Sequence, residues 1–306
     1  MKNSKLIGIF CAAAAAITYG MNPFFGLPLY AEGLTPFSVL FYRFFFAAIL
    51  MGIVTVLRKA PFTLQLKYLW QTLLAGALMA MTCIFWFLAF QIMDSGISAA
   101  LLFIYPVMVA LIMVCFFKEK LSFITIFGIA AALAGVTIIC LPGSGGEARI
   151  NFTGITYIML SALAYAIYIV AVRTTKLREL APETLTFYAM IFSLPFFLMP
   201  LRGGIDLQAL PSWQAFFNAM GLALFPSLLS FLFAAIAINR IGATQTAIFG
   251  ALEPVTAVAI GILRFGETMT WKLAIGTVII LAAVCAVICS NNKSTSKQQF
   301  SNTEQI

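Results

Sequence analysis

The sequence predicts an all-α integral membrane protein: ten transmembrane helices as two five-helix inverted-topology repeats, both termini cytoplasmic. Three observations carry that prediction. Of 306 residues, 62% are hydrophobic and 9% charged, against about 25% charged in a typical soluble domain. The apolar residues fall into ten runs, each near the ~20 residues that a helix needs to cross a hydrocarbon core. Landmarks of the first half recur in register in the second.

The first run, Leu6–Leu27, follows Met1-Lys2-Asn3-Ser4-Lys5. That start resembles a signal peptide, with Ala12 to Ala16 as small residues for cleavage. The run continues to about Gly26 without a polar break, which predicts an uncleaved first span. Phe37–Leu57, Leu69–Phe90, Ser95–Phe117 and Leu121–Leu141 complete a first repeat over residues 1–141. A connector, 142–151, opens on Pro142-Gly143-Ser144-Gly145-Gly146. It lacks the Lys-Ser/Thr of a phosphate loop, so no ATP site is predicted. The second repeat, 152–290, holds Phe152–Val172, Thr184–Leu201, Trp213–Ile236, Ala243–Phe265 and Trp271–Ser290. Thr184–Leu201 is the least regular, because it carries Pro195 and Pro200. Residues 291–306 are polar and predict a disordered cytoplasmic tail.

Charge fixes the orientation. With the N-terminus in the cytoplasm, 13 of the 18 Lys and Arg fall inside. Arg149, Arg202, Arg264 and Lys272 fall outside, and Arg43 lies within a span. This bias obeys the positive-inside rule, and an even number of spans returns the C-terminus to the same side. It also explains the net charge of +8 without a nucleic-acid partner, since the basic residues are scattered among loops.

Composition removes several chemistries. With no histidine, Ser-His, Cys-His and His-metal sites are excluded. The six cysteines lie in or beside apolar runs without a CxxC pair and read as small buried hydrophobes. No catalytic residue, metal site or cofactor is predicted, and the chain reads as a protein other than an enzyme.

The repeat sets the architecture. Ser98–Val107 aligns with Thr246–Val255 at a shift of 148, as do Phe85 with Phe233, Ala89 with Ala237 and Gly128 with Gly276. At a shift of 146, Tyr19 meets Tyr165, and Leu34-Thr35-Pro36 with Phe41-Tyr42 meets Leu180-Ala181-Pro182 with Phe187-Tyr188. Five spans is an odd number, so the second copy inserts upside down. That arrangement lets a transporter open alternately to either side of a site between its halves.

The candidate site residues follow from that geometry. Glu253 is the one acidic residue near a span midpoint, where a carboxylate costs roughly 2.5–3.5 kcal/mol on insertion scales. It reads either as a protonatable counter-charge or as a carboxyl bonded to backbone N–H groups freed beside Pro254. Pro106 and Pro254 occupy matching places in spans 4 and 9, as a hinge pair for gating or as tolerated kinks. On span 6, Tyr157, Ser161, Tyr165 and Tyr168 recur at helical spacing, and on span 9 so do Gln245, Phe249, Glu253 and Thr256. Tyr19 and Asn22 on span 1, Trp86 on span 3 and Tyr105 on span 4 are the first-half equivalents. The substrate cavity is therefore predicted at Tyr19, Asn22, Trp86, Tyr105, Tyr165, Tyr168, Gln245, Phe249 and Glu253, with interhelical bonding and aromatic packing as the alternative for each. Arg43, about seven residues from the outer end of span 2, reads equally as snorkelling outward or as paired inside, with Glu253 a conceivable partner.

Several landmarks together resemble the EamA branch of the drug/metabolite transporter superfamily. They are Leu252-Glu253-Pro254-Val255, Gly266-Glu267 closing span 9, Lys118-Glu119-Lys120 closing span 4, Arg240-Ile241-Gly242-Ala243 entering span 9, and Ala162-Leu163-Ala164-Tyr165-Ala166 in span 6. The resemblance covers about residues 6 to 290, in two copies. It implies an inner-membrane permease exporting small metabolites, often amino acids, through a cavity lined largely by spans 1, 3, 4, 6, 8 and 9. The sequence departs from the pattern where Tyr19 and Tyr165 stand in place of a common tryptophan, and where Tyr105 precedes Pro106. The expected function is a secondary-active exporter of amino acids or related small polar metabolites, working by alternating access. Efflux of aromatic or cationic toxic compounds is the alternative cargo, and a passive channel or intramembrane enzyme the alternative class. The expected partners are a small-molecule substrate, a coupling proton or exchange substrate, and the lipid bilayer.

Overall fold

The computed structural model describes residues 2–90, 92, 101–119, 123–140, 151–198 and 207–265, with 271, 274–276, 278–279 and 282–283 of the last predicted span. Among the described residues there are helices and turns and no strand. Most of the connector, the start of span 4 and the tail after Ser290 lie outside the described residues.

The helices are α1 (Lys2–Gly20), α2 (Asn22–Ala31), α3 (Pro36–Leu57), α4 (Leu66–Phe90), α5 (Tyr105–Phe117) and α6 (Phe123–Cys140) in the first half. The second half holds α7 (Phe152–Thr174), α8 (Pro182–Leu198), α9 (Trp213–Leu222), α10 (Ser230–Ile241), α11 (Ala243–Phe249) and α12 (Leu252–Phe265). A π-helical segment, Ala223–Leu229, joins α9 to α10. Local chemistry sets many of the ends. Asn151 accepts from the Thr153 N–H at 2.8 Å to start α7, and Ser212 accepts from the Ala215 N–H at 2.9 Å to start α9. Gly242, at φ 95°, makes the left-handed step between α10 and α11 that a residue with a Cβ would resist.

Among the described residues, five stretches are long and apolar enough to cross a membrane: Ser4–Ala31, Pro36–Leu57, Leu66–Ala89, Phe152–Thr174 and Trp213–Ile241. Tyr105–Phe117, Ile126–Gly135 and Pro182–Leu198 are shorter apolar helices. Their outer faces bear large apolar side chains, such as Phe10, Leu66, Phe123, Phe152 and Leu263, left more than half exposed. Water would penalise such a surface and lipid does not. Inside, Thr55, Thr72 and Thr82 each return their hydroxyl to the carbonyl one turn back at 2.8 Å, so that these three buried hydroxyls are bonded within their own helices.

The predicted spans 1, 4, 8 and 9 are not continuous helices, and proline is the common cause. A proline removes its own N–H and displaces the carbonyl four residues earlier. Pro23 frees the Tyr19 carbonyl, which accepts from Asn22 Nδ2 at 2.8 Å, and α1 ends there. Pro226 frees the Leu222 carbonyl, which accepts from Ser227 Oγ at 3.0 Å, and the chain widens into the π segment. Pro254 frees the Gly250 carbonyl, which accepts from the Glu253 N–H at 2.9 Å across the turn between α11 and α12. Span 4 breaks in the same way at Phe103-Ile104, just before Pro106.

Packing runs across the two halves. The most extensive interfaces are α4 on α7, α1 on α10, α3 on α8 and α4 on α8. In the numbering of the repeats, span 3 on span 6 is the counterpart of span 8 on span 1. Small residues bring these helices close: a Cβ on Gly8 would strike Ile241 and Arg240, and one on Gly20 would strike the Glu253 carbonyl and Thr256. The halves are also laced at both ends. At one, Arg58 pairs with Glu183 at 2.9 Å, and the Thr184 and Tyr188 hydroxyls each donate at 2.6 Å to the carbonyls of Pro61 and Phe62. At the other, Tyr42 Oη donates to the Gln208 carbonyl at 2.8 Å, and Ser212 Oγ to Glu32 at 2.7 Å.

Candidate functional site

The four interrupted spans meet near the middle of the bundle and leave a cavity there. Ala12, Ala15 and Ala16 of α1 give it a smooth apolar side, and Tyr105, Tyr165, Tyr168 and Glu253 face them. The volume open to water centres is about 20 Å³, a little above the ~10–15 Å³ that one water requires. In this conformation the cavity has room for water and none for a metabolite.

Each polar wall residue has a local reason for its place. Tyr105 begins α5 after the break, so its ring leaves the helix toward the second half and its hydroxyl donates to the Ala247 carbonyl at 3.2 Å. That close approach requires a glycine at 250, because a Cβ there would overlap the Tyr105 hydroxyl. Tyr165 meets the Tyr105 ring edge-on at 4.8 Å and stacks on Tyr168 at 6.4 Å. The Tyr168 hydroxyl is buried with no hydrogen-bond partner among the described residues. Glu253 sits in the first turn of α12, half-buried, and its carboxylate has no hydrogen-bond or ion-pair partner among the described residues. The wall thus offers one carboxyl group and the faces and hydroxyls of tyrosines, a combination suited to a cationic or hydrogen-bonding guest.

A second polar cluster lies one helical turn along α1 and the π segment. Arg43 is the largest fully buried side chain of the described protein, with 0% exposure. Its Nε donates to Ser227 Oγ at 2.6 Å, Nη1 to Asn22 Oδ1 at 3.0 Å and Nη2 to the Pro226 carbonyl at 3.1 Å. The guanidinium lies 5.6 Å from the centroids of both the Tyr19 and Phe44 rings. Tyr19 in turn stacks on Trp86 at 5.9 Å and meets Phe231 edge-on at 6.1 Å.

The structure therefore divides the residues expected at the site. Tyr105, Tyr165, Tyr168 and Glu253 come together on the cavity, and Pro106 and Pro254 stand at the breaks that aim them. Tyr19, Asn22 and Trp86 gather instead around Arg43. Gln245 and Phe249 do not line the cavity, and Phe249 is packed in the core at 2% exposure. The stripe assumed one unbroken helix; the turn at Gly250-Ala251 puts Thr246, Ala247 and Gly250 beside Glu253 in their place. On α7, Ser161 donates to the Thr82 carbonyl at 2.7 Å and Tyr157 stacks on Phe85 at 6.1 Å, so both join helices together. Arg43 neither snorkels nor pairs with Glu253. Two of its three acceptors come from residues 183 and 184 positions away, and no local pattern announces them.

Comparison with known proteins agrees with this architecture. The chain is 30% identical over 200 residues to an uncharacterized transporter of Archaeoglobus fulgidus, covering 64% of this chain and 68% of that protein. It is 25% identical over 296 residues to the uncharacterized transporter YdfC of Bacillus subtilis, covering 96% and 92% of the two chains. A solved crystal structure superimposes with a TM-score of 0.82 at 15% identity, over 96% of this chain and 99% of the other, which shows a shared fold. The model of the EamA-like transporter family matches residues 6–141 and again 152–289. With helices that are apolar enough to span a bilayer, relatives named as transporters and a family model matched twice, the chain belongs to the EamA-like transporter family as a multi-pass membrane transporter.

Proposed function

We propose that the protein is a secondary-active exporter of amino acids or related small polar metabolites, working by alternating access in the cell inner membrane. One observation carries the reading: a small cavity between the halves, walled by three tyrosines and by Glu253, whose carboxylate has no partner among the described residues. The reading includes ten spans in two inverted repeats, 1–141 and 152–290, joined by the connector 142–151, with both termini and the 291–306 tail in the cytoplasm. The matched interfaces of span 3 on span 6 and span 8 on span 1 support the inverted pairing. Residues that project from helix breaks at mid-span support a gated site. Uphill movement would draw on a proton gradient or an exchange substrate.

Untargeted metabolite profiling of cells with and without the protein tests the function. Overexpression should lower the internal pool of the exported compound and raise tolerance to its toxic analogues. Unchanged pools across amino acids and their relatives would reject the amino-acid reading. Efflux of aromatic or cationic toxic compounds is the second reading, favoured by the ring faces of Tyr165 and Tyr168 beside Glu253; it predicts resistance to such compounds with amino-acid pools unmoved.

The prolines are assigned to gating. Pro254→Ala restores an N–H in the first turn of α12 and favours a straighter path through the break. It should slow turnover while leaving the substrate concentration at half-maximal rate unchanged, as measured by initial rates in proteoliposomes. Wild-type turnover in that variant would remove Pro254 from the gate.

A further inference from the structure

Arg43 is an unusual way to hold helices together. A guanidinium taken out of solvent loses several kcal/mol of hydration. Here it receives only neutral acceptors, Ser227 Oγ, Asn22 Oδ1 and the Pro226 carbonyl. No carboxylate among the described residues pairs with it. The flanking Tyr19 and Phe44 rings, each 5.6 Å from the guanidinium, return part of that cost. All three acceptors are neutral, so the charge itself has no counter-ion among the described residues.

The donors and the elements around them indicate one. A guanidinium carries five N–H groups; three are engaged by these acceptors, one from each nitrogen, and the Tyr19 hydroxyl stands beside the group as a further neutral partner. Arg43 and Asn22 belong to the first half, whereas Ser227 and Pro226 belong to the second. Any motion that parts the halves on this side takes two of the three acceptors away and bares a cationic fork beside the cavity. Ser230 and Ala16 of the cavity wall lie one helical turn from Ser227 and Tyr19 respectively, so the two sites adjoin along α1 and α10.

We propose that Arg43 is an anion-binding site that takes the carboxylate of the transported molecule, with Asn22 positioning the guanidinium and the Tyr19–Trp86 pair parting to admit it. The substrate class is then small organic acids, amino acids among them. The proposal rests on the transporter reading above. A carboxylate matches the fork of a guanidinium, bidentate and charge-assisted, as no neutral group does.

The test uses the full chain purified in detergent and three carboxylates, benzoate, phenylacetate and L-phenylalanine, each against its amide, in which an uncharged group replaces the carboxylate. Thermal melting and intrinsic fluorescence, to which Trp86 contributes, report binding. At least one acid should raise the melting temperature while its amide does not. Arg43→Gln should weaken acid binding about tenfold or more, the worth of a lost charge-assisted bond, and Arg43→Lys should restore part of it. A scaffold role alone would leave acid and amide indistinguishable in wild type. Equal response to acids and amides, response to none of the three acids, or full acid binding by folded Arg43→Gln would each overturn the proposal. If Arg43→Gln does not fold, Arg43→Lys and Asn22→Ala carry the same comparison, and acid selectivity unmoved in both would overturn it. Binding of benzoate or phenylacetate without L-phenylalanine would leave the anion site standing and reject the amino-acid reading.

Discussion

Glu253→Gln is expected to reduce proton-driven flux to that of protein-free vesicles while leaving substrate exchange in place. Glutamine keeps the shape of the side chain and its hydrogen-bonding atoms, and it carries no proton at any working pH. The carboxylate faces the cavity without a partner among the described residues. The structural alternative is a carboxyl satisfied by backbone N–H groups near Pro254. Those groups are already engaged: the N–H of Gly250 bonds the Ala247 carbonyl at 3.1 Å, that of Ala251 the Ile248 carbonyl at 3.1 Å and that of Glu253 the Gly250 carbonyl at 2.9 Å. Proteoliposomes with an imposed pH gradient, compared with counterflow at equal pH, separate the two. Undiminished gradient-driven flux in the variant would rule out Glu253 as the proton carrier, and loss of folded protein would assign it to the scaffold.

The second large effect is expected at Gly250. Gly250→Ala places a methyl group where the Tyr105 hydroxyl stands, with the Ala247 carbonyl 3.0 Å away on another side. Overpacking of a closed interior costs about 1–3 kcal/mol, and here it strikes the junction of α5 with α11. Thermal melting should show that loss, and transport should fall with it. Adding Tyr105→Phe removes the nearest clashing atom and should return part of the stability, because the ring carbon beneath it is still only 2.8 Å from the new Cβ. Wild-type melting in Gly250→Ala would mean that α5 and α11 are free to separate, contrary to the close contact of Tyr105 with Gly250 at the cavity wall.

The membrane-spanning helices are legible in the sequence because they depend on apolar length, a property that each segment carries alone. Glu253, Tyr105, Tyr165 and Tyr168 are legible for a related reason: each lies beside a proline or on a tyrosine stripe within one segment. What escapes is set by two segments at once. Gln245 and Phe249 fit a continuous helix, and only the turn at Gly250-Ala251, with Tyr105 pressed against it, moves them off the cavity. Arg43 looks like a charge near a span end until the π segment supplies its acceptors.

The π segment also gives a physical location to an offset. The two copies align at a shift of 146 through Tyr42 and Tyr188, and at 148 from Phe85 and Phe233 onward. Extra length therefore enters the second copy between residues 188 and 233, and Ala223–Leu229 lies in that interval. A π-turn, bonded i to i+5, takes up about one residue more than an α-turn. Ala189 is the counterpart of Arg43 at the first shift, and its carbonyl presses on Gly76, where a Cβ would come within 2.8 Å. At one junction the two copies thus meet through their smallest residues, and at the other the second copy opens a turn to seat the arginine of the first. The arginine and the π segment form one unit: deleting a residue from 223–229 without shortening Arg43 would leave a cation with no slot, and trimming Arg43 alone would leave a slot with nothing to fill it.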